Sequence, residues 1–84
     1  MLTVSVISAE ATLFEGQATS VVAPAFDGEV GILTNHAPMI TALGSGTLRV
    51  EHGGTTQRFT VSGGFVQVVD NQVRVVTEQA SISR

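Results

Sequence analysis

Apolar and polar side chains alternate along several short stretches of this chain. In residues 2–6 every second side chain is aliphatic, and the intervening ones carry hydroxyl groups. The same alternation occurs in residues 47–51, 58–62 and 72–75. A period of two residues is typical of strands that bury one face, and no stretch of about 11 residues carries the 3.6-residue stripe of an amphipathic helix. The pattern therefore predicts an all-β chain without substantial helix.

Residues that favour turns separate these stretches. Glycine, aspartate and asparagine adopt positive φ more easily than other residues. We therefore predict hairpins at residues 52–54 and 70–71 and a tight turn at Asp27-Gly28, with chain breaks at Glu15-Gly16 and at residues 44–46. Strand-sized runs spaced roughly 8–12 residues apart are typical of a β-sandwich or barrel.

Stiff, β-branched side chains dominate the composition. The 84 residues include 13 Val, 4 Ile and 10 Thr, which suit a pleated sheet and disfavour helix. The chain shows no repeat, low-complexity segment or linker, and its length fits one domain. Residues 1–84 are therefore predicted to form a single domain.

Some strand positions are apolar on both faces. Phe65 and Val69 fall on the face opposite Val66 and Val68, and Ile7 falls opposite the neighbouring aliphatic positions of its own strand. An outer sheet face that meets water is normally polar. Either these side chains lie under loops or at strand ends, or another subunit covers this face of the sheet.

Charge and composition narrow the classes of partner. Four arginines, no lysine and seven acidic residues give a net charge of −3, which argues against nucleic acid and anionic membrane surfaces as partners. No apolar run approaches the ~18 residues that span a bilayer, and no signal peptide is evident, so we expect no bilayer insertion and no export. The absence of cysteine excludes disulfides. We expect a domain that works inside an assembly.

The residues offer little for catalysis, metal binding or cofactor binding. His36 and His52 are far apart in sequence and have no cysteine to complete a metal site. Asp27 and Glu29 lack the later ligands of a calcium loop. Gly63-Gly64 has no third glycine and no following helix, so it predicts a bend and not a phosphate-binding loop. We predict no catalytic, metal or cofactor site.

Several motifs, in order, resemble one known family. Residues 28–33 (Gly-Glu-Val-Gly-Ile-Leu), 36–43 (His-Ala-Pro-Met-Ile-Thr-Ala-Leu) and 46–50 (Gly-Thr-Leu-Arg-Val) are similar to the epsilon subunit of F-type ATP synthases, which is the delta subunit in mitochondria. Residues 6–10 and 62–68 are similar to its opening and glycine-pair strands. The resemblance covers nearly the whole chain.

The resemblance implies a flattened ten-stranded β-sandwich or barrel. It also implies a non-catalytic rotor subunit of the central stalk, which binds the gamma subunit and the c-ring and couples ion translocation to ATP synthesis. Such a subunit needs no cofactor. It is peripheral, on the cytoplasmic face of a bacterial inner membrane.

The resemblance also assigns contact residues. The loop that touches the c-ring corresponds to Asp27, Gly28 and Glu29. The positions near the gamma subunit correspond to Ser8, His36, Ala37, Pro38 and Thr41.

The chain departs from the family pattern at two places. Asn35 stands where glycine often precedes the histidine, and asparagine also tolerates left-handed geometry, so we expect the turn to survive. The sequence ends at Arg84, whereas typical family members continue into two C-terminal helices that inhibit ATP hydrolysis and, in some members, bind ATP. We expect neither property from these 84 residues.

A free-standing β-sandwich that binds a small molecule or sugar on an open face is the alternative. Sugar platforms usually expose Trp or Tyr, whereas this chain has only four phenylalanines, most of which the core is expected to need. A small hydrolase or metal enzyme would require a cluster of His or carboxylate residues that the sequence does not show.

Overall fold

The computed structural model describes residues 1–83, and in that range the chain contains strands and no helix. The all-β prediction is therefore confirmed. The eight strands are β1 (Leu2–Ser8), β2 (Thr12–Ala18), β3 (Ser20–Ala25), β4 (Gly28–Leu33), β5 (Met39–Ala42), β6 (Ser45–His52), β7 (Thr55–Val69) and β8 (Gln72–Ser83).

Two long strands join two layers of the sheet. Layer A consists of β2, β1, the first part of β8, the second part of β7 and β5, in that order. Layer B consists of the second part of β8, the first part of β7, β6, β3 and β4. All neighbours are antiparallel except β1 and β8, which are parallel.

The strand count differs from the expected ten because β7 and β8 are continuous. Their pairing passes from Ser62↔Gln79 to Gly64↔Thr77, and Gly63 and Gly64 have φ values of 73° and 103° at this point. The predicted bend at the glycine pair is confirmed. Each of these strands contributes one segment to each layer, so eight hydrogen-bonded strands supply the ten segments of a two-layer sandwich.

One apolar core, mostly of aliphatic side chains, lies between the layers. Layer A contributes alternate residues of β1, β7 and β8, including Val4, Val66 and Val75, all fully buried. Layer B contributes Phe59 and Leu48, which are also fully buried and are cross-strand partners. The alternation of apolar side chains along the sequence thus marks the inner faces of both layers.

Most of the predicted turns are found. Gly53 and Gly54 both have positive φ, as do Asp70 and Asn71, which is the geometry of a tight two-residue hairpin that matches the twist of its strands. The predicted break at Glu15-Gly16 is wrong, because Gly16 lies inside β2 opposite Val4. The turn that closes this hairpin lies at residues 9–11 and is built on a hydroxyl group instead of glycine.

Candidate partner-binding surfaces

The β3–β4 hairpin forms an exposed tip. Asp27, Gly28 and Glu29, the residues assigned to the c-ring by resemblance, lie together there and are all exposed. Gly28 has φ 132°, so the tight turn uses backbone freedom that glycine supplies. Phe26 shares the tip and is 73% exposed, although the sequence predicted that most phenylalanines would be in the core.

An arginine of layer B approaches the carboxylate at the tip. Arg49 Nη1 lies 3.5 Å from Glu29 Oε2, and the two side chains are 37% and 56% exposed. An ion pair of this length in contact with water contributes little to stability. It does orient the Glu29 carboxylate towards the outer face of layer B.

The β4–β5 loop carries three of the residues assigned to gamma. His36, Ala37 and Pro38 follow β4, at the opposite end of that strand from the tip. A strand of six residues is about 17 Å long, so the tip and this loop are separate surfaces. The His36 backbone N–H donates to the Leu33 carbonyl at 3.2 Å and closes the turn.

Asn35 and Asn71 fasten this loop to the β7–β8 turn. The Asn35 backbone N–H donates to Asn71 Oδ1 at 2.6 Å, and Asn71 Nδ2 donates to Asn35 Oδ1 at 3.2 Å. Asn35 has φ 67°, so asparagine does adopt the left-handed geometry expected of it. We call this pair the asparagine clasp. The sequence reasoning did not foresee it, because its partners are 36 positions apart.

Ser8 has a structural role at the end of β1. Its hydroxyl oxygen accepts hydrogen bonds from the backbone N–H groups of Glu10 and Ala11, at 3.3 and 3.2 Å. Hydroxyl side chains that bond to nearby backbone groups commonly stabilise turns. Ser8 therefore shapes the β1–β2 turn, and the structure does not bring it into the β4–β5 loop.

Thr41 is half-buried on β5. Its position falls on the same side of the strand as Met39, which packs against the core. Two strands, β8 and β7, separate β1 from β5 in layer A, so Ser8 and Thr41 lie at least about 14 Å apart. The residues assigned to gamma therefore form one loop group and two outlying positions.

An apolar row crosses the outer face of layer A between these outlying positions. Cross-strand pairing connects Ala42 to Phe65, Phe65 to Val76 and Val76 to Ile7. Ala42 is exposed and the other three are half-buried. The sequence placed Ile7 and Phe65 on this face, and pairing across four strands joins them into one surface, the apolar row.

A shallow groove continues this surface at the edge of the layer. It has a volume of about 300 Å³ and lies beside β5, where Ile40 is 67% exposed and Val69 is 40% exposed. Its lining residues are Pro38, Met39, Ile40, Gln67 and Val69.

The outer face of layer B is polar by comparison. Cross-strand pairs on this face include Thr47 with Thr60, and Arg49 with Arg58. The one large exposed aliphatic side chain on this face is Leu33 in the edge strand β4, 63% exposed among the residues that the structure describes. The two outer faces thus differ: layer A carries the apolar row, beside a polar row formed by Ser5, Arg74 and Gln67, whereas the cross-strand pairs named for layer B are polar.

The described residues hold no group of three or more His, Cys, Asp or Glu side chains close enough to bind a metal ion. Residues 1–83 also contain no helix with the length and hydropathy needed to cross a membrane. The candidate sites among the described residues are four surface features: an exposed tip, a fastened loop, an apolar row and a groove.

The strand order, with β7 and β8 bent so that each contributes to both layers, defines the class: a small all-β domain of two layers. Residues 1–83 match the family model described as ATP synthase, Delta/Epsilon chain, beta-sandwich domain. The chain belongs to this family, and the resemblance seen in the sequence is confirmed.

Relatives and solved structures agree with this assignment. The chain is 42% identical over 81 residues to the ATP synthase epsilon chain of Leptospira borgpetersenii, covering 96% of this chain and 64% of that protein. In a structure of the Euglena gracilis mitochondrial ATP synthase (OSCP/F1/c-ring), one chain is 25% identical with a TM-score of 0.90, over 96% of this chain and 52% of that chain.

A second solved structure supports the fold. It is the central stalk and c-ring of the Tetrahymena thermophila mitochondrial ATP synthase, with a TM-score of 0.81, 15% identity and coverage of 95% of this chain and 65% of that chain. The chain spans 64% of the Leptospira relative named above, which is less than two thirds of that protein's length. The expectation that these residues neither inhibit ATP hydrolysis nor bind ATP depends on the sequence ending at Arg84. That residue lies outside the described residues.

Proposed function

We propose that this chain is the sandwich domain of a central-stalk rotor subunit of an F-type ATP synthase, and that it binds the gamma subunit through the outer face of layer A. The observation that carries the proposal is the apolar row together with the groove beside Ile40. Contiguous apolar side chains on an outer sheet face favour burial against a partner. The β4–β5 loop, with His36, Ala37 and Pro38, borders the groove through Pro38.

The β3–β4 tip is proposed as the contact with the c-ring. Asp27, Gly28 and Glu29 are exposed and polar, which suits a hydrated contact with polar loops. Because the tip and the β4–β5 loop lie at opposite ends of β4, the domain can contact two partners at once. A subunit held in this way transmits rotation between the ring and gamma, and so couples ion translocation to ATP synthesis.

In this role the chain performs no chemistry. Residues 1–84 are proposed to act as one domain, peripheral to the membrane, on the cytoplasmic face of a bacterial inner membrane. The relatives named above are subunits of ATP synthases, and this supports the placement in such a complex.

An Ile40→Asp variant tests the gamma-binding face. Ile40 is largely exposed, so the change should alter stability by less than about 0.5 kcal/mol. Burying an unpaired carboxylate in an apolar contact is costly, so the affinity for the gamma subunit of the same organism should fall by at least about tenfold. Calorimetric titration measures the affinities of the parent and of the variant for the gamma subunit. Leu33→Asp, a matched exposed aliphatic on layer B, should bind like the parent, and equal losses in both variants would contradict the assignment of the face.

A Glu29→Lys variant tests the tip. Charge reversal should weaken the contact with the c-ring by about 0–1 kcal/mol, because an exposed rim charge is screened, and should leave the domain folded. The measurement is ATP-driven ion pumping per ATP hydrolysed in the reconstituted synthase, which should decrease. Glu51→Lys is the control, since Glu51 lies beside Ser20 at the other end of β3. Unchanged coupling in Glu29→Lys would remove Glu29 from the proposed contact.

A further inference from the structure

A polar cleft lies where the β4–β5 loop meets the β7–β8 turn, and we propose that it binds one cationic side chain, arginine or lysine, of the gamma subunit. This inference rests on the proposed function and specifies the chemistry of its gamma-binding site. The cleft has a volume of about 280 Å³, which suits a single side chain. Its lining residues are Asn35, His36, Ala37, Pro38, Asp70 and Asn71.

Asp70 supplies the negative charge of the cleft. It is exposed at the β7–β8 turn, and no cationic group of residues 1–83 lies within ion-pairing distance of its carboxylate, since the one ion pair in that range joins Arg49 to Glu29. An exposed carboxylate attracts a cation of the partner and guides its approach.

His36 adds a second acceptor at the same place. Its Nδ1 lies 2.7 Å from the Ala37 carbonyl oxygen. A carbonyl oxygen only accepts hydrogen bonds, so Nδ1 carries the proton in the neutral ring and Nε2 is left as an acceptor. Within the described residues Nε2 has no hydrogen-bond partner. A guanidinium or ammonium group, which only donates, complements a carboxylate and an imidazole acceptor.

The asparagine clasp holds the cleft in shape without a ligand. Asn71 bonds to Asn35 through its side chain, and its backbone carbonyl accepts from the Thr3 N–H at 2.8 Å. Asp70 and Asn71 have φ of 50° and 61°, so the carboxylate is carried by a two-residue hairpin turn of defined geometry. A site whose backbone is already ordered loses less conformational entropy on binding.

The cleft is continuous with the apolar groove. Pro38 lines both, so a cation in the cleft and an aliphatic side chain against Ile40 would be neighbours on the partner. Arginine is enriched at protein interfaces because its stem packs against apolar surface while its planar head makes directed hydrogen bonds. The geometry therefore favours a partner segment that presents a basic side chain beside an aliphatic one.

Asp70→Asn tests the proposal, because asparagine also tolerates positive φ and keeps the size of the side chain. In titrations of the gamma subunit at low salt, this variant should bind about three- to fivefold more weakly than the parent. The difference should disappear near 1 M salt, where the Debye length is about 3 Å. Glu51→Gln, which neutralises an exposed carboxylate of layer B, should bind like the parent.

The outcomes are distinct. If Asp70→Asn and the parent bind gamma equally at every salt concentration, the cleft inference is overturned and the proposed function stands. If the folded parent chain does not bind gamma at all, the proposed function fails and the inference fails with it. Asp70→Gly provides a second variant, since glycine adopts the required φ without strain, and it should show the same salt-dependent loss.

Discussion

Replacing Phe59 by alanine is expected to destabilise the domain by about 3–5 kcal/mol. Phe59 is fully buried, is paired with Leu48 in β6 and is the one fully buried aromatic side chain among residues 1–83. Its removal costs the transfer free energy of the ring and leaves a cavity that two hydrogen-bonded layers cannot readily fill. A chain of 84 residues has a total stability of only about 4–13 kcal/mol, so this loss is a large fraction.

Thermal unfolding followed by circular dichroism measures the effect of Phe59→Ala. A loss of 3–5 kcal/mol should lower Tm by at least about 12 °C in a domain of this size. Thr60→Ala is the matched control, because Thr60 is the next residue of β7 and is exposed on the outer face of layer B. A Phe59→Ala variant that melts with the parent would show that the inner face of β7 has been misassigned.

Replacing Gly64 by alanine is expected to have a comparable effect for a different reason. Gly64 has φ 103°, a conformation that residues with a Cβ rarely adopt, and an added Cβ would overlap the Val76 carbonyl oxygen and lie 2.7 Å from Thr77 Cα. These contacts are with backbone atoms of the adjacent strand, which cannot rotate away. Backbone strain and overpacking each cost about 1–3 kcal/mol, so a total loss of about 3–5 kcal/mol, or failure to fold, is expected.

Chemical denaturation measures the loss of stability in Gly64→Ala and in the control variant Gly31→Ala. Gly31 lies in β4 with no atom within 4 Å of an added Cβ, so alanine there should be tolerated. The loss of stability in Gly63→Ala should lie between those of the other two variants. An added Cβ at Gly63 meets the flexible Glu78 side chain, which can move away, but the Gly63 φ of 73° adds strain. Equal midpoints for Gly64→Ala and Gly31→Ala would mean that the bend joining the two layers does not need glycine.

Much of the fold could be predicted from the sequence because strand alternation is a local signal. The inward positions of β1, β6, β7 and β8 follow from a period of two, and the hairpins follow from residues that tolerate positive φ, such as Asp70 and Asn71. The β1–β2 turn was misplaced because the Ser8 hydroxyl closes it in a stretch that has no glycine. The number of strands could not be predicted from the sequence either, because the hydrogen bonding between β7 and β8 continues through the bend at Gly63 and Gly64.

The candidate surfaces were predicted only in part. Ile7 and Phe65 were recognised as apolar on the outer face, but their connection through Val76 depends on strand order, which alternation does not specify. The sequence predicts most of the four phenylalanines in the core, since a large aromatic side chain is usually buried, yet Phe26 lies at an exposed hairpin tip. The asparagine clasp joins loops distant in sequence, and no local pattern marks it.

Amide hydrogen exchange of this chain, alone and with the gamma subunit, tests the central claim most directly. β5 is an edge strand of layer A and β4 is an edge strand of layer B, so each has backbone amides without a partner strand on one side. The account predicts that gamma protects residues 36–42 and leaves residues 28–33 unchanged. Protection of residues 28–33 without protection of residues 36–42, or no protection at all in a folded chain, would contradict the assignment of layer A as the gamma-binding face.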